Sequence, residues 1–400
     1  MRTLFAGGQV FDGTGAAPAE ADVVIEGGRI VAVGPGLDGD ERVDASGQTI
    51  LPGLFDCHTH VLFADVDQWK YLQTPFSLTF YKAMDNLRAT LACGITTIRD
   101  AGGADLGMKT AVEQGLIPGP RMHISIRMIS QTGGHGDDWM ACGVEIPFFI
   151  EYPGSPNALV DGPEEMRRKV RELIRDGADV IKVAVSGGVL SPRDNPKHAH
   201  FRPEELEMLV SEATAAGIFV MAHGQASDGI KNAVRAGIRS IDHGLYLDDE
   251  AIDLMLSHGT YLVPTLVAPT GVLQAAEQGI QIPEASLAKA RQVIDVHRES
   301  FRKAVAAGVK IAMGTDSGVT PHGQNLRELE LMQEGGMTPA EVLVATTKTA
   351  AELMALQDEL GTLEPGKRAD LVLVDGDALD LVKLGDRVTA VFKDGERVVG

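Results

Sequence analysis

Gly217-Ile218-Phe219-Val220-Met221-Ala222-His223-Gly224 is answered, twenty positions on, by Gly237-Ile238-Arg239-Ser240-Ile241-Asp242-His243-Gly244. In each stretch a glycine stands where a left-handed residue would end a helix. A short apolar run follows, and a histidine comes six residues after the glycine. Equal offsets put the two imidazoles at equal heights on neighbouring strands. A core histidine with satisfied nitrogens is the ordinary explanation of one such residue. Two at one depth on adjacent strands are harder to explain that way.

The same grammar extends in both directions. Gly94, Gly177, Gly259 and Gly308 end further helical patterns. Strands are expected over 95–99, 179–185, 218–222, 239–242, 260–266 and 310–314, with two more over 54–61 and 121–130. They are near-continuous apolar runs, as parallel strands covered on both faces should be. Gly162-Pro163-Glu164-Glu165 and Arg202-Pro203-Glu204-Glu205 start helices, with proline in the first turn and acids at the positive end of the dipole. Alternating helices and parallel strands imply right-handed crossovers. Eight such units imply an α/β fold of the (β/α)8 TIM-barrel type, whose chemistry sits at the carboxyl ends of its strands. Residues 1–52 and 361–400 read differently, as short strands with glycine turns. One small β-sandwich built from both termini is expected, with a barrel over 53–360 inserted between. Residues 131–160, long and rich in glycine and proline, read as an active-site loop.

Bulk properties narrow the function. The 400 residues carry 56 acidic and 36 basic side chains, a net charge of −20. That excludes the basic footprint of a nucleic-acid binder. No stretch approaches a membrane span and no signal peptide is visible. Three cysteines, Cys57, Cys93 and Cys142, form no disulfide framework and suit a reducing compartment, so a cytoplasmic location is expected. Alternation along its strand turns Cys57 away from the His58 side, into the core.

The polar residues that close the strands carry the chemistry. His58-Thr59-His60 puts two imidazoles on one strand face. Lys182 lies inside Val180-Ile181-Lys182-Val183-Ala184-Val185. It either snorkels outward between helices or faces the interior, where an unpaired ammonium costs several kcal/mol. An interior amine could instead take up carbon dioxide as a carbamate, an anion able to bridge two cations. Asp316, in Gly314-Thr315-Asp316-Ser317-Gly318, reads as a helix N-cap or, if the sheet closes, as a neighbour of His58 and His60. His135, in Thr132-Gly133-Gly134-His135-Gly136-Asp137, is an oxyanion donor, a substrate contact or a surface-loop histidine. Arg99 is a carboxylate clamp or, preferably, an ion-pair partner of a nearby acid.

Taken together, His58, His60, Lys182, His223, His243 and Asp316 resemble the ligand set of the metal-dependent amidohydrolase superfamily. The flanking segments Ile50-Leu51-Pro52-Gly53-Leu54-Phe55-Asp56 and Gly361-Thr362-Leu363-Glu364-Pro365-Gly366-Lys367-Arg368-Ala369-Asp370-Leu371 resemble it too. The resemblance implies two divalent ions, zinc by default. His58, His60 and Asp316 would hold one ion and His223 and His243 the other, with a carboxylated Lys182 between them. A shared hydroxide would attack an amide, with Asp316 as proton shuttle. Residues 96–103, 130–137 and 182–192 resemble the Xaa-Pro dipeptidase-like metallocarboxypeptidases, which implies dipeptides or N-acyl amino acids as small-molecule substrates. Relatives commonly assemble, so a homo-oligomer is expected. Many relatives carry tyrosine at the position of Gln225, so the contact to a substrate carboxylate is altered here. His322 is expected to line the pocket. His198 and His200 read as solvated loop or rim residues, while His123, His258 and His297 receive no chemistry. Hydrolysis of a cyclic amide, as in imidazolonepropionase-like enzymes, or of a carbamate, urea or ester is the alternative. A non-enzymatic scaffold is disfavoured, because all six ligand positions are filled.

Overall fold

The computed structural model describes all residues except Phe148 and Pro192, so the end of the 182–192 segment lies outside the described residues. Its parallel strands form two sheets. One runs Tyr261–Val263, Ser240–His243, Phe219–Gly224, Val180–Ala184, Met128–Ile129, each beside the next; the other runs Leu54–Thr59, Ile95–Asp100, Arg121–Ile124. Most of their residues are buried, which is why the runs are apolar throughout. The Asp179 amide donates to the Ile124 carbonyl at 2.8 Å where the two sheets approach.

Two expectations change. The strand over 121–130 is split, because a tight turn at Ser125-Ile126-Arg127 breaks the ladder. The segment 310–317 forms no regular strand, yet it bonds to neighbours on both sides. The Ala312 amide donates to Leu262 at 3.0 Å on one side, and the Cys57 amide donates to Met313 at 2.9 Å on the other. Asp316, with φ +63°, turns the backbone out of extended geometry and stops a ladder from forming. The mixed α/β architecture is otherwise as expected.

Helices form where the sequence asks for them. Pro163–Arg175 begins with proline, carries Glu164 and Glu165 in its first turn, and buries Met166, Val170 and Leu173. That spacing is one apolar stripe. The six glycines that open the strand units all have positive φ, as a left-handed helix end requires.

The two ends of the chain meet in one eight-stranded sheet. Its order is Glu396–Val399, Val388–Lys393, Leu371–Asp375, Gln48–Pro52, Arg2–Val10, Ala19–Glu26, Arg29–Gly34, with Glu41–Asp44 paired to Arg2–Val10. Phe5 and Phe392 join the two ends edge to face at 4.8 Å, in a core with Val23, Ile25, Ile50 and Leu371. The Arg2–Val10 strand escapes sequence reading because Gly7-Gly8 interrupts its alternation, and its register shifts there. Among the described residues no helix is long and apolar enough to cross a membrane.

Candidate active site

Strand ends carry the polar residues to one place. His58 is buried at the end of its strand, and Nε2 lies 3.4 Å from Oδ1 of Asp316; Nε2 of His60 lies 3.3 Å from the same oxygen. These three side chains offer donor atoms all within 4.8 Å of one another, the spacing that one ion needs. The ring of His243 is centred 5.0 Å from that of His58 and 4.6 Å from that of His223; His135 stacks on His223 at 4.2 Å. Lys182 faces inward, and with the histidines and Asp316 it lines a cavity of about 490 Å³. His243 and Asp316 both have positive φ, +74° and +63°. Such backbone is uncommon in non-glycine residues and gathers at functional sites.

Each imidazole is fixed by an outer acceptor. Nδ1 of His58 meets Asp242 at 2.9 Å, Nδ1 of His60 the Gly102 carbonyl at 2.8 Å, and Nδ1 of His243 the Thr265 hydroxyl at 2.7 Å. Nε2 of His223 meets the Gly187 carbonyl at 3.2 Å. In His223 and His243 one nitrogen is committed and the other is free of these bonds, as in histidines that ligate metals, while Nε2 of His58 and of His60 both face Asp316. Burial, with the neighbouring His135 and His58 respectively, pushes His223 and His243 well below the usual imidazole range, so both are neutral ligand donors. Burial would raise the Asp316 carboxyl, but His58 and His60 outweigh it and hold it well below the usual carboxylate value.

Asp242 organises the floor of the site. Its carboxylate takes Lys182 Nζ at 2.8 Å, His58 at 2.9 Å and Arg99 Nη2 at 3.2 Å. Burial opposes ionisation there, but Lys182 and Arg99 keep the carboxyl far below its ordinary value. The Lys182 amine is lowered by burial, with Asp242 pulling the other way. A lowered amine is more readily neutral, the form that adds carbon dioxide. Arg99 is therefore not a substrate clamp. Its remaining donors go to the Cys57 carbonyl at 2.7 Å and Ser240 at 3.0 Å, beneath the cavity it was expected to serve.

Other expected contacts divide. His135 and Gln225 line the cavity. Nδ1 of His135 lies 2.6 Å from the Ser191 hydroxyl, and Ser191 donates to Asp194 at 2.5 Å. Lys289 adds an ion pair to Asp194 at 2.9 Å, which ties the loop to a helix. Oε1 of Gln225 has no hydrogen-bond partner among the described residues. His322 does not line the cavity. Its Nε2 meets the His60 and Phe63 carbonyls and its Nδ1 meets Thr90, so it braces the turn after the Leu54–Thr59 strand. His198 is exposed, as expected, but His200 is buried, because its amide bonds to the Val185 carbonyl and draws it under the loop.

Sequence reading passed over several residues of the site. Asp242 precedes His243 in the sequence, and a carboxylate in an apolar strand signals a buried partner. His297, on a helix, donates Nε2 to the carbonyl of the strained His243 at 2.9 Å. Thr265, Asp194 and Arg127 carried no local signal.

Residues 49–398 match the amidohydrolase family, and the chain belongs to that family. It is 34% identical to an ochratoxinase of Aspergillus niger, across 100% of this chain and 87% of that protein. An imidazolonepropionase of Geobacillus kaustophilus is 26% identical, over 88% of this chain and 82% of that protein. Among solved structures, a Xaa-Pro dipeptidase with methionine bound in its active site superposes with a TM-score of 0.91 at 33% identity, each chain covered completely. The protein is thus a family hydrolase with amide-cleaving neighbours.

Proposed function

We propose that this protein is a binuclear metal hydrolase of dipeptides or N-acyl amino acids. The single observation behind the reading is the donor set. Four oriented imidazoles, an inward lysine and an ionised aspartate share one cavity. His58, His60 and Asp316 would hold one divalent ion, His223 and His243 a second, and Lys182 as a carbamate would span both. Zinc suits these ligands. Bound ions would supply a water of lowered pKa and polarise the scissile carbonyl. Asp316 accepts the proton of the attacking water and returns it to the leaving amine. His135, oriented by Ser191, would contact the substrate beside the scissile bond. The neighbours support the bond type, through the ochratoxinase and the Xaa-Pro dipeptidase.

The same reading treats the two parallel sheets as arcs of one (β/α)8 barrel, with 310–317 as its irregular eighth stave. Supporting this, Asp316 donates its amide to His58 at 2.8 Å, and Leu262 donates to Lys310 at 2.8 Å. The terminal sheet would fold on itself as a sandwich formed by 1–52 and 361–400.

Purified zinc-loaded protein tested on Ala-Pro, Ala-Met, N-acetyl-L-methionine and a cyclic amide decides the reading. Turnover of a dipeptide or N-acyl amino acid is expected. A second reading, cleavage of a cyclic amide, draws on the imidazolonepropionase relative. Turnover of the cyclic amide alone would establish it and remove the first.

A further inference from the structure

The His135 ring is held in the cavity wall by a buried set of charges that no step of the proposed reaction uses. The imidazole stacks on His223, with ring centres 4.2 Å apart. It also lies so close to Gly188 that an added Cβ there would collide with its Cε1, Nδ1 and Nε2. Only glycine leaves room for the ring at that position. Its edge is fixed from the same segment. Nδ1 lies 2.6 Å from the Ser191 hydroxyl, and that hydroxyl donates to Oδ1 of Asp194 at 2.5 Å.

A hydroxyl has one hydrogen to give. With that hydrogen on Asp194, Ser191 can only accept from His135. Nδ1 therefore carries a proton, and Nε2 is left for a ligand in the cavity that the ring lines. The Asp194 side chain is buried, and it takes the Gly188 amide at 2.8 Å and Lys289 Nζ at 2.9 Å as well. Burial would raise its carboxyl, but His135, Ser191 and Lys289 outweigh this and hold it well below the usual carboxylate range. It accepts these bonds as an anion. Lys289, on the Glu284–Ala307 helix, also donates to the Gly188 carbonyl at 2.9 Å and the Ser191 carbonyl at 2.6 Å. One ammonium thus ties Gly188, Ser191 and Asp194 together, and these are the three residues that touch His135. A buried ion pair adds little stability over apolar packing. What this one fixes is the frame around a ring.

We propose that Asp194, clasped by Lys289, is a positioning residue for hydrolysis: through Ser191 it sets both the orientation and the tautomer of the His135 ring. The inference rests on the hydrolase reading, in which His135 contacts the substrate, and adds the device that aims this contact.

Two measurements test it. Imidazole nitrogen NMR of the zinc-loaded protein, recorded above the ordinary imidazole range, reads the tautomer, with the His135 signals assigned by their loss in His135→Phe. Wild-type His135 should carry its proton on Nδ1, and Asp194→Ala and Ser191→Ala should each move it toward Nε2. An unprotonated Nδ1 in the wild type overturns the inference, as does a tautomer unmoved in both variants. The second measurement is kcat/KM on N-acetyl-L-methionine. Asp194→Ala should lower it roughly 10–100-fold, and Gly188→Ala, which displaces the ring and leaves every charge in place, by a similar factor. Lys289→Arg should retain more activity than Lys289→Met. Adding Asp194→Ala to His135→Ala should cost less than about threefold more, because the ring that Asp194 aims is already gone. Losses that multiply would make Asp194 independent of His135 and overturn the inference. If neither this substrate nor a dipeptide turns over, the hydrolase reading is at fault, and the tautomer still decides whether Asp194 sets the ring. Ser191→Ala carries both measurements if Asp194→Ala does not fold.

Discussion

Replacing Asp242 with asparagine should cost the metal-free protein about 3–5 kcal/mol. The carboxylate is fully buried and serves Lys182 at 2.8 Å, Arg99 at 3.2 Å and His58 at 2.9 Å. At an effective dielectric of about 20, a pair at the Lys182 distance is worth ~6 kcal/mol before relaxation. Relaxation caps the loss. An unpaired lysine can shed its proton, which at neutral pH costs at most about 4–5 kcal/mol relative to the unfolded chain. Arg99 keeps the Cys57 carbonyl and Ser240, so Lys182 is the group most exposed to the change. Urea unfolding followed by circular dichroism measures the effect. Adding Lys182→Met to Asp242→Asn should recover at least about half of the loss, because the stranded charge is removed with its partner. The pH dependence follows from the depressed Asp242 carboxyl. Its contribution is complete above the unfolded value of about 4 and fades as the pH falls from there toward the much lower folded value, so the variant should lack that acid-side decline. A loss below about 1 kcal/mol, or a double variant no more stable than the single one, would refute the reasoning.

Three further outcomes are expected. Asp316→Asn should abolish turnover while leaving the far-UV spectrum close to wild type; substantial residual kcat would remove Asp316 as the proton shuttle. Lys182→Ala should lose bound metal, with partial recovery of activity in short carboxylic acids, and unchanged metal content without rescue would count against a bridging role. Thr265→Val removes the acceptor that orients His243 and should weaken metal binding roughly 10–100-fold in a chelator competition; unaltered affinity would show that the ring is held by other contacts.

The sequence carried the repeating helix–strand units and the metal-compatible residues because both have local signatures. Glycine at a helix end, an apolar run and a terminal histidine fall within eight positions, as in 217–224. What it lacked depends on distance in the chain. Asp242 is defined by partners at 58, 99 and 182, and the acid expected beside Arg99 could not be named because it lies 143 positions away. His322 looked like a pocket residue from its place after the last strand, but its ring turns back to the His60 and Phe63 carbonyls. The broken strand at Ile126 contradicts a good β-former's own preference, so propensity pointed the wrong way. Both Ile126 and Asp316 take positive φ within strand-like stretches, and there local rules fail.

Metal stoichiometry tests the central claim most directly. Zinc-loaded, desalted protein examined by plasma mass spectrometry should hold two ions per chain, and Lys182→Ala should hold fewer. Less than one ion per wild-type chain would contradict the account, because oriented imidazoles with nothing to bind would then be ordinary buried histidines.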